Sequence, residues 1–359
     1  MRVVSVVGAR PQFIKAWPVS RALARAGIEE FLVHSGQHYD DRMSQVFFDE
    51  LALAAPARHL GVGSGTHAEQ TGRTLVALEP VLLELRPDVV IVFGDTNTTL
   101  GGALAATKLG FPVAHVEAGL RSFRRDMPEE VNRLVADHCA DLLFCPTQTA
   151  VDNLSREGVH RGVHFTGDVM YDAVLHFGSM ARERSRVLER LELARGDYFL
   201  ATIHRASSTD HPETLAGLMR ALVLLDAAVV FPVHPRTQAR LREQPALLQA
   251  LRRSRVRLID PAGYLDMLML EQSARAVLTD SGGVQKEAYF LRVPCVTLRD
   301  ETEWVETVDA GWNTLAGSDP LAIVEAALKA APAGSPDVNP FGDGRAAEHI
   351  AAALRAWDD

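Results

Sequence analysis

Asp280, Ser281, Gly282 and Gly283 directly follow an apolar run at 276–279, AVLT, and open a helical pattern that carries Glu287. Residue types in this order suit a phosphate. N–H groups at a helix start carry partial positive charge, and residues without a Cβ let an anion approach the backbone closely. Glu287, one to two turns into the same helix, can accept hydrogen bonds from vicinal hydroxyls. Together they suit a nucleoside diphosphate with its ribose; alone, the stretch also reads as a tight turn with a capping serine.

A second group has the residue types for acid–base chemistry. Asp95 and Glu117 stand at matching positions just after the apolar runs 89–93 and 113–116, where an ionised group needs a partner or a task. Glu129 belongs to DMPEEVNR at 126–133, a helix start with Asp126 in the N-cap position and Glu129 at N3 of a capping box; a free carboxylate is the other reading. Glu129 and Arg133 share a face at i, i+4. Arg10 and Lys15, in GARPQFIK, put two cations at a helix start, against its dipole, and so predict an anion nearby unless both are simply solvated. His204 with Arg205, and His234 with Arg236, each follow an apolar run and either clamp phosphate oxygens or are ordinary loop residues. His115 and Glu117 form an H-x-E without a C-x-x-C partner, so no metal site is predicted. His34, Gln37, His38 and His67 sit near turns, where ligand contact and solvation are indistinguishable.

The elements that must position these residues are short β-branched runs alternating with longer amphipathic stretches, the pattern of parallel sheets covered by helices. Strands are predicted at 3–7, 30–35, 89–93, 113–116, 142–145, 198–202, 229–233, 256–258, 276–279 and 295–298. They divide into two α/β halves, 1–167 with the carboxylates and 168–344 with the diphosphate turn, followed by a helix within 345–359. In open α/β sheets ligands bind at the carboxyl ends of strands, so two such halves facing each other make a cleft. The Gly-rich stretch 61–72 reads as a mobile loop, and 331–344 as a linker before the final helix at 345–357.

Composition agrees with this class. The 359 residues suit about two domains. A net charge of −9 argues against a general nucleic-acid binder. Cys139, Cys145 and Cys295 form neither a zinc pattern nor a disulfide framework, and a reducing cytoplasm fits them best. The first apolar run is too short for a signal peptide, and no run approaches the ~18 apolar residues of a membrane span.

In order, GARPQFIK, SGQH, FGDTNTTL, HVEAGLRS, PEEVNR, the HR at 204–205, PVHPRT and TDSGGVQKEA resemble the motifs of the non-hydrolysing UDP-N-acetylglucosamine 2-epimerases. The resemblance runs from Gly8 to about Ala288. It implies an α/β GT-B fold, with two Rossmann-like domains facing a central cleft and a last helix crossing back to the first domain. It implies a cytoplasmic homodimer that interconverts UDP-GlcNAc and UDP-ManNAc without metal or redox cofactor, in cell-surface polysaccharide biosynthesis. By position, Asp95, Glu117, Glu129, Lys15 and His204 become catalytic. Arg10, Arg133, His234, Ser281, Gly282, Gly283 and Glu287 become substrate-binding.

The implied chemistry accounts for three carboxylates. Carbon 2 of an N-acetylhexosamine has no adjacent carbonyl, so loss of its proton must accompany departure of UDP from carbon 1. That gives 2-acetamidoglucal through a transition state with oxocarbenium character, which nearby carboxylates stabilise. Inversion needs proton removal on one face and delivery on the other. A GT-B glycosyltransferase would share the helix start but has no use for all three carboxylates; a hydrolysing epimerase or a non-catalytic UDP-sugar regulator differs in product.

The sequence also departs from the common pattern. His204–Arg205 is followed by Ala206, Ser207 and Ser208 where H-R-x-E-N is usual, and PVHPRT replaces H-x-N-P. After SGQH, residues 39–43 lack the R-E-M-L type stretch that, in many bacterial members, helps bind a second UDP-GlcNAc as activator, although Glu69 and Gln70 remain; weak or absent activation is predicted. These variants resemble a branch that includes epimerases of UDP-2,3-diacetamido-2,3-dideoxyglucuronate. In that setting Arg124 and Arg125 would meet a uronate carboxylate if they are not simply solvated.

Overall fold

The apolar runs form two parallel sheets, each in its own unit. The structure, a computed structural model, describes residues 1–36, 53, 55–225, 227–334 and 339–358. One unit comprises Met1–Ala173 with Val338–Asp359, the other Val174–Asp337.

In the first unit the chain runs β1 (Arg2–Val7), α1 (Arg10–Arg25), β2 (Glu29–His34), β3 (Arg58–His59), α2 (His67–Leu85), β4 (Val89–Phe93), α3 (Asn97–Leu109), β5 (Val113–Val116), α4 (Pro128–Cys139), β6 (Leu142–Cys145), α5 (Gln148–Arg156), β7 (Val163–Phe165) and into α6 (Val169–Arg184). The strands order as β3-β2-β1-β4-β5-β6-β7, all parallel, with Val3 opposite Val89 and Val90 opposite Val113. Strand order reverses between β1 and β4. The ends of these two strands, Gly8–Arg10 and Gly94–Asp95, therefore flank the switch point where such sheets bind ligands. Val4, Val6, Val90 and Val92 pack with Leu78, Leu82 and Ala106 beneath them.

The second unit continues with α7 (Val187–Arg190), β8 (Tyr198–Thr202), α8 (Ala206–Thr209), α9 (Pro212–Leu224), β9 (Ala228–Pro232), α10 (Pro235–Arg242), α11 (Pro245–Arg253), β10 (Val256–Ile259), α12 (Tyr264–Ser273), β11 (Ala276–Thr279), α13 (Gly282–Phe290), β12 (Cys295–Thr297), α14 (Val305–Asp309), β13 (Asn313–Leu315) and α15 (Pro320–Lys329). Its order is β10-β9-β8-β11-β12-β13, again parallel. Here the switch point lies between β8 and β11, which places His204–Arg205 beside Asp280–Gly282. Phe199, Ala201, Phe231 and Leu278 pack against Leu215, Leu218 and Leu222.

Three strands lie outside the predicted set: β3, β7 and β13. All are edge strands of two or three residues and partly exposed. The loop predicted at 61–72 is corrected: α2 already begins at His67, because Thr66 Oγ1 accepts from Glu69 N (3.3 Å) and Glu69 Oε2 accepts from Thr66 N (2.9 Å). That is a capping box, which outweighs Gly72 within the helix. Among the described residues no helix is long and apolar enough to cross a membrane.

The last helix, α16 (Ala346–Asp358), packs on α1 in the first unit. Its start is capped by Asp172, whose carboxylate accepts from Ala346 N (3.1 Å) and Ala347 N (2.8 Å). Burial pushes the Asp172 carboxyl up to about 6, against the lowering effect of those two N–H groups. The folded state thus holds this proton more tightly than the unfolded chain, whose value is near 3.8, and the contribution of Asp172 to stability falls as pH rises from about 4 to about 6. The melting temperature of the native protein minus that of an Asp172→Asn variant is expected to fall over that range; a value that rises with pH would contradict this.

Candidate active site

Around the first switch point, glycine and glutamine set the backbone before any charge is placed. A Cβ on Gly8 would lie 2.0 Å from Ser35 Oγ and 2.4 Å from Thr98 Oγ1, two hydroxyls that hydrogen-bond each other at 2.8 Å. Gln12, buried in the first turn of α1, accepts from Gly8 N (2.8 Å) and Ala9 N (3.0 Å) and donates to Phe93 O (2.8 Å). The end of β1 is thereby tied to the end of β4.

Lys15, one turn further along α1, is buried and forms an ion pair with Glu117. The two meet beside Gly94, where a Cβ would lie 3.0 Å from Lys15 Nζ and 3.2 Å from Glu117 Oε2. Gly94 is left-handed (φ 61°), and so is Glu117 (φ 74°), a conformation that costs a non-glycine residue about 1–2 kcal/mol. Glu117 N and Ala118 N both donate to Phe144 O, at 3.0 and 3.1 Å, and hold the turn in place.

Asp95 Oδ2 accepts from Arg133 Nε (3.0 Å) and Nη2 (2.8 Å). Arg133 is fully buried, and its Nη1 donates to Glu130 Oε2 at 2.7 Å. Asn132 Nδ2 donates to Asp95 O at 2.9 Å. The structure therefore brings Lys15, Glu117, Asp95 and Arg133 together, while Arg10 stands half-buried at the first position of α1.

The capping-box reading of Glu129 is corrected. Pro128 takes the first helical position, which suits its fixed φ and missing N–H, so Met127 becomes the N-cap and no side chain caps the helix. Asp126 turns outward to Arg124, at 2.9 and 2.7 Å. Glu130 accepts from Ser122 N (2.9 Å), Phe123 N (2.9 Å) and Arg133. Arg133 shares a helix face with Glu129 but pairs with Glu130, at i, i+3. Glu129 is half-buried and, among the described residues, has no hydrogen-bond or ion-pair partner.

One buried cluster has no counterpart in the sequence reading. His115 Nδ1 lies 2.7 Å from Asp137 Oδ1 and its Nε2 lies 2.7 Å from Gly94 O, and Asp137 Oδ2 accepts from Gly119 N (3.1 Å) and Arg121 Nη1 (2.6 Å). Arg121 also forks onto Glu157, at 2.7 Å to each oxygen. Burial would raise the Asp137 carboxyl, but His115 and Arg121 together hold it below the usual carboxylate value. No group of metal-ligating side chains forms among the described residues, and His115 is spent on this contact.

Around the second switch point, the buried Asp280 accepts from His204 N (3.0 Å) and Arg205 N (2.9 Å) and thereby fixes the loop after β8. The rings of His204 and His234 lie 5.5 Å apart. Ser281 is the N-cap of α13, and it and Gly283 remain partly exposed at the helix start; Glu287 is the sixth residue of that helix and buried. Gly282 has a different neighbour from the expected anion: its Cβ would lie 2.3 Å from Glu303 Oε1 and 3.1 Å from Trp304 Nε1. Glu303 also receives Arg205 (3.2 Å) and Arg299 (3.0 Å), and Arg236 is bound to Asp210 (2.5 Å). Both arginines predicted to clamp phosphate are therefore engaged by carboxylates, while the histidines face each other.

Burial pushes the Cys295 thiol up to about 12 and that of Cys145 higher still, so neither is a thiolate nucleophile near neutral pH. Gln37, His38 and residues 39–43 lie outside the described residues. His34 stacks between Phe13 and His59, His67 reaches Asn97, and Arg124 is occupied by Asp126.

The family model for UDP-N-acetylglucosamine 2-epimerase matches residues 21–355. A UDP-N-acetylglucosamine 2-epimerase homolog of Methanococcus maripaludis is 48% identical over 356 residues, 99% of each chain. UDP-2,3-diacetamido-2,3-dideoxy-D-glucuronate 2-epimerase of Pseudomonas aeruginosa is 48% identical over 335 residues, 91% of each chain. The crystal structure of Methanocaldococcus jannaschii UDP-GlcNAc 2-epimerase in complex with UDP-GlcNAc and UDP matches with a TM-score of 0.93 at 44% identity, over 99% of this chain and 100% of that one. The two parallel α/β units are those of the GT-B fold that these neighbours share. With motifs, sheets and relatives in agreement, the chain belongs to the non-hydrolysing UDP-N-acetylglucosamine 2-epimerase family and is an isomerase.

Proposed function

We propose that the protein reversibly epimerises carbon 2 of UDP-GlcNAc to give UDP-ManNAc, by anti elimination of UDP and re-addition through 2-acetamidoglucal. The observation that carries this is the pairing of Lys15 with Glu117 next to that of Arg133 with Asp95, with Glu129 unpartnered among the described residues. A carboxylate takes the carbon-2 proton as the C1–O bond breaks and its electron pair leaves with UDP. A second acid–base group returns a proton to the opposite face while the phosphate oxygen re-adds to carbon 1. The exchange leaves the sugar's oxidation state unchanged.

In this reading the backbone N–H groups at Ser281–Gly283, with His204, His234 and Arg10, stabilise charge on the departing diphosphate, and Glu287 binds the ribose. The family resemblance extends it to a cytoplasmic homodimer that supplies a nucleotide sugar for cell-surface polysaccharide. A second reading, epimerisation of a UDP-2,3-diacetamido-2,3-dideoxyglucuronate, is supported by the 48% identity to the Pseudomonas enzyme. Arg124 gives it no support, being paired with Asp126 on the surface.

Incubation with either UDP-sugar in D₂O tests both readings. Deuterium is expected at carbon 2 of both epimers, together with positional exchange of an ¹⁸O label at the anomeric bridge. Deuteration without that exchange would overturn elimination, and turnover of the uronate alone would select the second substrate.

The reverse reaction, started from UDP-ManNAc alone, is expected to begin without a lag. Glu69 is occupied in capping α2, and Gln70 is bound to Asn97 (2.8 Å), so neither stands ready for a second nucleotide sugar. A lag abolished by trace UDP-GlcNAc would show activation to be intact.

A further inference from the structure

We infer that His115 is a positioning residue that holds the two carboxylate-bearing turns in register, its Nε2–H fixing the Gly94 carbonyl next to Asp95. The inference rests on the proposed roles of Asp95 and Glu117. His115 and Asp137 are both essentially inaccessible to solvent, so they act on the reaction only through the groups they hold.

The hydrogen-bond chemistry leaves one arrangement. Gly94 O can only accept, and the Asp137 carboxylate, whose other oxygen takes Gly119 N and the Arg121 guanidinium, also only accepts. Each lies 2.7 Å from a different nitrogen of the same ring, so the geometry calls for an N–H at both ring positions. A neutral ring would set a lone pair against one of two buried oxygens.

This contact spans both turns. Gly94 precedes Asp95, while Asp137 also takes the N–H of Gly119, two residues beyond Glu117. Gly94, Glu117 and Gly119 are all left-handed, at φ 61°, 74° and 80°, so neither turn rests on a preferred extended or helical backbone. Arg121 and Glu157 anchor the far side of Asp137. Loss of the Nε2–H bond leaves the Gly94 carbonyl buried without its donor and frees the 94–95 peptide to rotate. That moves Asp95, and also the space at Gly94 beside which Lys15 and Glu117 meet.

Two amide replacements separate the two ends of the ring. In His115→Asn the amide falls near the Nδ1 position and keeps Asp137; in His115→Gln it reaches the Nε2 position and keeps Gly94 O. His115→Asn is expected to lower kcat about 10–100-fold, with KM and UDP affinity within about 2-fold of native, the scale set by a small misplacement of reacting groups. His115→Gln is expected to recover most of that loss. Near-native kcat in His115→Asn, or equal kcat losses in both variants that follow their losses of stability, would overturn the inference. So would ¹⁵N spectra of the folded native enzyme showing a single protonated nitrogen on this ring, a readout that needs no variant to fold. Asp95→Asn and Glu117→Gln serve as reference: if both turn over normally, the carboxylate reading fails, whereas if they are inactive and His115→Asn is not, only the positioning role fails.

Discussion

Asp95→Asn, Glu117→Gln and Glu129→Gln are each expected to lower kcat by at least ~10²-fold while UDP affinity changes much less, because acid–base and charge-stabilising roles act in the transition state. The three variants differ in what else they disturb. Glu117→Gln removes the counter-ion of the buried Lys15, and Asp95→Asn removes a partner of Arg133, so both need a melting curve beside the kinetics. Glu129→Gln is the cleanest. Its side chain caps nothing, so a loss of turnover at native stability has no structural explanation, and near-native turnover would remove Glu129 from the chemistry.

Arg133→Met is expected to damage the fold of the first unit strongly. It leaves the charge of Glu130, which is as buried as the arginine, with only the donors of Ser122 and Phe123, and takes the fork from Asp95, whose side chain is about one-third exposed and can regain some solvation. Removing one member of a buried ion pair costs about 3–5 kcal/mol. For a unit of this size that corresponds to a fall in melting temperature of roughly 6–20 °C. Arg133→Lys keeps the charge but loses the planar fork that reaches both carboxylates, and should fall between native and Arg133→Met. A Met variant that melts with the native protein would show that the two carboxylates find other donors.

The core of both sheets was legible because a strand covered on both faces reads as an unbroken apolar run, as in VVIVF at β4 or AVLT at β11. The rims were not. VHF at β7 and NTL at β13 have too few apolar residues to stand out, and pair only because the strand beside them is already in place. Local rules also competed. Asp126 and Glu129 have capping-box spacing, but Pro128 at the first helical position moves the cap to Met127, whereas the Thr66–Glu69 box is masked by the surrounding glycines.

Within the candidate site, residues at strand ends were identifiable from position and charge, but their partners were not. Lys15 and Glu117 are 102 positions apart, and Arg133 and Asp95 are 38 apart; only the sheet order brings them together. His115 carried even less signal. A histidine inside the strand VAHV looks like a core residue, and Asp137, 22 positions away on a helix, has no local pattern that ties the two together.

The first unit includes α16 from the far end of the chain, while the second is one continuous stretch. On the ribosome, the 174–337 unit can close around its own core as soon as it emerges, whereas the unit bearing Asp95, Glu117 and Glu129 must wait for residues 346–358 before α1 is covered and Asp172 finds the N–H groups it caps. Released chains truncated after residue 345 should therefore protect the later segment from protease better than the earlier one, which reverses the usual N-terminal-first order of domain folding.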